Sequence, residues 1–377
     1  MDKQQARKLS APALMAVGLF GLNSMFGQIY RNGYIERIGR ILASQQPTLP
    51  GSHTPLLTRY LGLPVVDNLL AIATVLWANV TDGSCPELSL YAVQFGGQLV
   101  PVFLVMMLEG SRSGNTNNAF FFSIMWGYTM QTFGYAITMP IYAIIHLFIS
   151  PTFLSSGKVV AKEITPRATE TFSLQCLIPA FALGYFLPSV LMSWPLSSPT
   201  LHQWLGAVWQ GFPLYVVLFQ HLFTRLAKPS ATLKGDAETL ETLSEAYTWA
   251  FQIARATQFF TYGLIILTKI FPSLLPSYAV DAFTFAKVFR PGPFHSTKPL
   301  VSMAAAMHDF FKWDQYVGSA AAIIWGITLD VTSRKHNINW DYWMRLGWEI
   351  VRWSIEAGPA GALVRLLQRR DKAILSK

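Results

Sequence analysis

Apolar residues fall in long blocks, not at the two-residue or 3.6-residue periods of a soluble core. Blocks near 11–29, 61–80, 88–109, 119–148, 172–194, 201–223, 249–271 and 303–329 each approach or exceed the roughly 20 apolar residues a helix needs to cross a bilayer. They predict an all-α, polytopic membrane bundle of about eight transmembrane helices. The first block follows basic residues but offers no small-x-small cleavage site after Gly27, so it reads as a span or signal anchor. Residues 340–369 have another pattern. Arg345, Glu349, Arg352 and Glu356 form a charged stripe at i, i+4, i+7 and i+11, and Trp340, Trp343, Trp348 and Trp353 supply interfacial aromatics. This segment is an amphipathic helix at the membrane surface or a ninth helix packed on the bundle. The connections 31–60, 224–248 (helical from Asp236 to Tyr247) and 272–302 are too short for a soluble domain, so residues 1–377 read as one membrane domain.

Charged residues make up 13% of the chain, about half the share of a soluble globular protein. That excludes soluble and disordered classes. The net charge of +9 does not indicate nucleic acid, because the basic residues cluster between apolar blocks. Examples are Lys3, Arg7 and Lys8; Lys158, Lys162 and Arg167; and Arg365, Arg369, Arg370 and Lys372. These read as flanks facing lipid headgroups. Cys85 and Cys176 cannot build a disulfide framework, and no CxxC or Cys/His pair suggests a metal.

Several membrane-enzyme signatures are missing. The sequence has no DDxxD or NDxxD pair to hold Mg²⁺ on a diphosphate, no DxDD acid motif, no HxxHH or HExxH, no GxSxG and no P-loop. No metal ligands and no cofactor are therefore predicted. Asn79-Val80-Thr81 fits a glycosylation sequon but abuts a span end.

Ionisable residues within spans are expensive and mark candidate sites. Asp67, three residues after Pro64, complements the dipole at a helix start. Asp82 lies in an Asp-Gly turn that would also sit at the mouth of a pocket between two spans. Glu109 closes an otherwise uncharged span with Arg112 at i+3, consistent with an ion pair or an active carboxylate. The run Met307 to Tyr316 is the densest polar cluster inside an apolar block. There Asp309 has Lys312 at i+3, whereas Asp314 has Phe310, Phe311, Val317 and Gly318 at i−4, i−3, i+3 and i+4, so no cation reaches it from its own helix. Asp314 must find a partner elsewhere or hold its proton, so it is both a structural acceptor and a candidate acid. Asp314, Glu109, Asp309 and Asp82 are the candidate catalytic residues.

Trp126 and Phe133, with Phe122, share one helical face with Met130 and would form a wall that stabilises a passing cation by about 1–2 kcal/mol per ring. Trp77, Phe310, Trp313 and Tyr316 are further candidates for contacting substrate.

Four runs carry a resemblance: Leu61 to Asp67; Thr81 to Ser84 with Pro86 and Leu88-Ser89-Leu90; Gln94 to Gln98; and Leu108 to Asn115. Together with His308-Asp309-Phe310 and Trp313-Asp314, the chain resembles the fungal membrane-bound terpene cyclases of the ascochlorin/ascofuranone and macrophorin type. The resemblance implies a metal-independent enzyme of the endoplasmic reticulum. It would protonate an epoxide or terminal olefin of a farnesylated substrate and guide carbocation cyclisation. Its partners would be a small prenylated molecule and the lipid bilayer. Intramembrane acids also suit a proton-coupled transporter, a lipid-binding protein or a sterol-isomerase-like enzyme.

Overall fold

A computed structural model describes residues 2–156, 158–166, 172–227, 236–334 and 339–376. Arg167 and the Lys158 side chain, assigned above to a basic flank, lie outside the described residues. Among the described residues the protein is helical, without a β-strand beyond isolated bridges.

Five helices are long and apolar enough to cross a membrane: α1 (Lys3–Arg31), α3 (Pro64–Thr81), α4 (Pro86–Ser111), α7 (Leu174–Ser193) and α11 (Met303–Ser333). Between α1 and α3, α2 (Tyr34–Leu42) is a short amphipathic helix where a connection was expected. Pro64 and Pro86 open their helices at positions that need no N–H donor. The centre of the bundle is α4, most of whose side chains are buried. It packs against α10 (Asp236–Ile270), α11 and α12 (Trp340–Leu375).

The other predicted blocks differ in form. The 119–148 block is split into α5 (Ser123–Phe133) and α6 (Tyr135–Ile149) by Gly134, whose φ of 82° a helix cannot accommodate. The 201–223 block divides at Gln210-Gly211 into α8 (Pro199–Trp209) and α9 (Phe212–Leu226). Conversely, no breaker separates the polar 236–247 stretch from the 249–271 block, and both lie in the 35-residue α10. Residues 340–369 fall in two differently buried halves of one helix. The first half of α12 exposes Trp340, Trp343 and Trp348, and a kink at Ala357-Gly358 then turns the second half into the core, where Ala362 to Val364 and Leu366-Leu367 are fully buried.

Each break inside the bundle exposes backbone groups that must be satisfied away from water. At the α12 kink Gln98 of α4 does this with one amide: its Nε2 donates to Ala357 O (3.0 Å), and its Oε1 accepts from Ala360 N–H (3.1 Å). Gln258 of α10 donates to Ser354 O and Ile355 O just before it. At Gly134 the same task falls to Asp314, whose Oδ1 accepts from Ala136 N–H at 2.7 Å.

Candidate active site

At the other end of α6 lies a fully buried cluster of charged groups. Glu109, in the last turn of α4, accepts from Arg112 Nε (2.7 Å) and Arg370 Nη2 (2.6 Å), and its other oxygen lies 3.0 Å from His146 Nε2 on α6. Arg112 reaches on to Asp371 (2.8 Å) and the Tyr247 hydroxyl (3.1 Å). Arg370 donates to its chain neighbour Asp371 (2.8 Å), and Tyr247 donates to the same carboxylate (3.0 Å). Two carboxylates thus face two guanidinium groups, which is how a bundle interior can hold four charges. Asn115 Nδ2 fixes the Glu109 carbonyl, and Ser150 links Asn115 to Thr152 beside His146.

Aromatic rings close around the imidazole. Trp325 lies 5.1 Å and Phe121 5.7 Å from His146 between ring centroids, both edge-on, while Tyr142 packs on Trp325 (5.6 Å) and Trp126 (5.1 Å). Four polar atoms in this enclosure are buried without a hydrogen-bond partner: His146 Nδ1, Tyr142 Oη, Trp325 Nε1 and Arg370 Nη1. Orphaned donors and acceptors are costly unless a bound group completes them. The arrangement combines a proton-bearing ring, a compensated carboxylate behind it and π-faces in front. It can give or take a proton in an apolar enclosure and stabilise positive charge beside it.

Of the residues expected from sequence, Glu109 and Trp126 belong to this enclosure. Phe133 and Phe122 do not: both are exposed on the outside of the bundle (52% and 57%). Phe122 precedes the first turn of α5 and Phe133 is its last residue, so a shared helical face did not place them on the wall. Asp314 is buried but finds its partner in the backbone at the α5–α6 break. Asp309 accepts from Gly292 N–H and pairs with Lys312 (3.6 Å). Trp313 and Tyr316 donate to Gly292 O and Phe289 O, so this stretch of α11 anchors the 285–294 connection. Phe310 packs against Phe26, and Trp77 lies between Trp209 and Phe311 in a separate aromatic group. Asp82 is exposed and bonds Ser84 within its turn. Asp67 clamps the backbone N–H groups of Tyr60, Leu61 and Gly62. The buried Asn79 amide donates to Pro50 O and Ser84 Oγ, so it offers no glycosylation site. Cys85 is no reactive thiolate, since burial pushes its thiol up to about 11.

Arg370 is the largest correction. Its place in the basic run 365–372 predicts a headgroup-facing side chain, yet it is 2% exposed and bonded to Glu109, 261 residues away. His146, a lone histidine in an apolar run, and Tyr247 gave no spacing signal at all. Among the described residues, no group of three metal-ligating side chains is gathered.

Fold and enclosure together describe an all-helical protein that has five helices long and apolar enough to cross a membrane and a buried cluster of charged groups between its helices. The chain belongs to the CtvD-domain family, which matches residues 10–375. It is 26% identical to terpene cyclase ascI of Acremonium egyptiacum, over 98% of this chain and 93% of that protein. It is also 26% identical to terpene cyclase ctvD of Aspergillus terreus, over 95% and 98%. With terpene cyclase atmA of Aspergillus flavus the identity is 23%, over 91% of each chain. No solved structure matches.

Proposed function

We propose that the protein is a membrane-bound terpene cyclase that initiates cyclisation of a farnesylated substrate by protonating its terminal epoxide or olefin. The observation that carries this reading is the Glu109–His146 pair enclosed by Phe121, Trp126, Tyr142 and Trp325. His146, once it takes up a proton, presents Nδ1–H to the substrate, and Glu109 holds the ring in place by accepting from Nε2–H. Tyr142 Oη, buried without a hydrogen-bond partner of its own, would bond an epoxide oxygen as the C–O bond opens. The aromatic faces then stabilise the cation by about 1–2 kcal/mol each. After ring closure the neutral imidazole takes the proton that the cation loses, which returns the site to its starting protonation state. The relatives' printed names support the cyclase activity, and the apolar helices support a membrane setting, which the family resemblance would place in the endoplasmic reticulum.

The test is to incubate microsomes containing the protein with a farnesylated phenol and with its terminal epoxide. A product of unchanged mass and altered retention is expected. His146→Gln, which keeps size and polarity, should lower its formation by about 10²–10⁴ per folded molecule. Absence of product from both substrates would leave the proton-coupled carrier reading, which the broken helix at Gly134 favours.

A further inference from the structure

At the α12 kink, on the outside of the bundle, lies a cleft of about 320 Å³ lined by Phe251, Arg352, Trp353, Glu356, Arg365, Gln368 and Arg369. Three arginines face one glutamate there. Arg369 is compensated, since Nη1 bonds Glu349 and Asp330 Oδ1 lies 3.5 Å from Nε, although that Nε makes no hydrogen bond. Arg352 meets Glu356 only loosely, at 3.8 Å. Arg365 stands apart. Its guanidinium lies 4.3 Å from the centroid of the Phe251 ring and donates to Gln368 Oε1 at 2.7 Å, and among the described residues no carboxylate is in ion-pair contact with it. A half-buried guanidinium held over a ring, in a cleft where three arginines share the single carboxylate of Glu356 and that carboxylate is not in ion-pair contact with Arg365, is suited to meet an anion.

The same helix indicates where that anion comes from. Trp340, Met344, Trp348, Val351 and Ile355 are exposed along one side of the first half of α12, a stripe that spans sixteen residues or about 22 Å. Such a face lies among the acyl chains just below the headgroups, with tryptophans at the interface. The arginines of the cleft are then at headgroup level. We propose that this cleft binds the phosphate of an anionic phospholipid, with Arg365 and Arg352 holding the headgroup and the Trp340–Ile355 face beside its acyl chains.

The full chain, purified in neutral detergent, would be titrated with a fluorescent short-chain phosphatidic acid, with unlabelled short-chain phosphatidic acid, phosphatidylcholine and inorganic phosphate as competitors. Saturable binding of phosphatidic acid is expected, weakened roughly tenfold by Arg365→Gln and less by Arg365→Lys, which retains the charge. Trp340→Ala with Trp348→Ala, remote from the arginines, should weaken it as well. Equal binding by the wild type and Arg365→Gln, both monodisperse by size exclusion, would overturn the proposal. So would displacement by inorganic phosphate as effective as by the unlabelled lipid, which would make the site one for free phosphate. The readout is independent of catalysis, so its failure would leave the cyclase reading untouched.

Discussion

Each end of α6 meets a buried carboxylate, and the two are managed in opposite ways. At its start, among the described residues, Asp314 has no cation in contact; it accepts from the Ala136 N–H at the Gly134 break, as a cap that α11 supplies to α6. At its end Glu109 has two guanidinium groups and an imidazole. Asp314 thus completes a backbone, whereas Glu109 completes a set of side chains. Only the second arrangement leaves an ionisable ring with an unpaired nitrogen facing aromatic walls. A buried acid is therefore ranked by what its partners can do, not by how isolated it looks on its own helix.

The most damaging change should be Glu109→Gln. It leaves Arg112 and Arg370 sharing one carboxylate, at a cost of about 3–5 kcal/mol, and monodisperse protein after extraction should largely disappear. Adding Arg370→Gln restores charge balance and should recover the folded protein but not product formation. If the double variant regains activity, the cluster is scaffolding alone. Next, Gly134→Ala would force a side chain into φ 82° and bring its Cβ within 2.6 Å of Asp314 Oδ1 and Met25 Cε. A loss of about 1–3 kcal/mol, read as a lower thermal midpoint, is expected. Smaller still, Asp314→Ala should cost about 1–2 kcal/mol for the lost cap, while Asp314→Asn keeps an acceptor and most of the stability and activity. Should Asp314→Asn be correctly inserted but inactive, the proton donor is at the start of α6. Smallest, Phe122→Leu and Phe133→Leu on the outer face should change product formation less than twofold, measured per inserted molecule.

The helical membrane class was legible because bilayer crossing imposes long apolar blocks, and five of the eight blocks gave helices of spanning length and hydropathy. The breaks were less legible. Gly134 sits in an unbroken apolar run, and what makes a break tolerable there is Asp314, 180 residues further on. Glu109 and Arg112 could be paired from their i, i+3 spacing. His146, Tyr247, Arg370 and Asp371 could not, because their meeting is tertiary and each resembles an ordinary span residue or flank. Asp314 was read from its own helix, where it has no partner, so a contact supplied by a neighbouring backbone was invisible.

The central helix also sets an order of assembly. Gln98 waits for Ala357 and Ala360, Arg112 for Asp371 and Glu109 for Arg370, all about 260 residues downstream. During synthesis α4 emerges long before those partners exist, carrying an amide and a local Glu109–Arg112 pair into the membrane. The last turns of α12 therefore act as a closing bolt. Nascent chains stopped before residue 357 should stay protease-sensitive and be cleared by quality control, however complete their earlier helices.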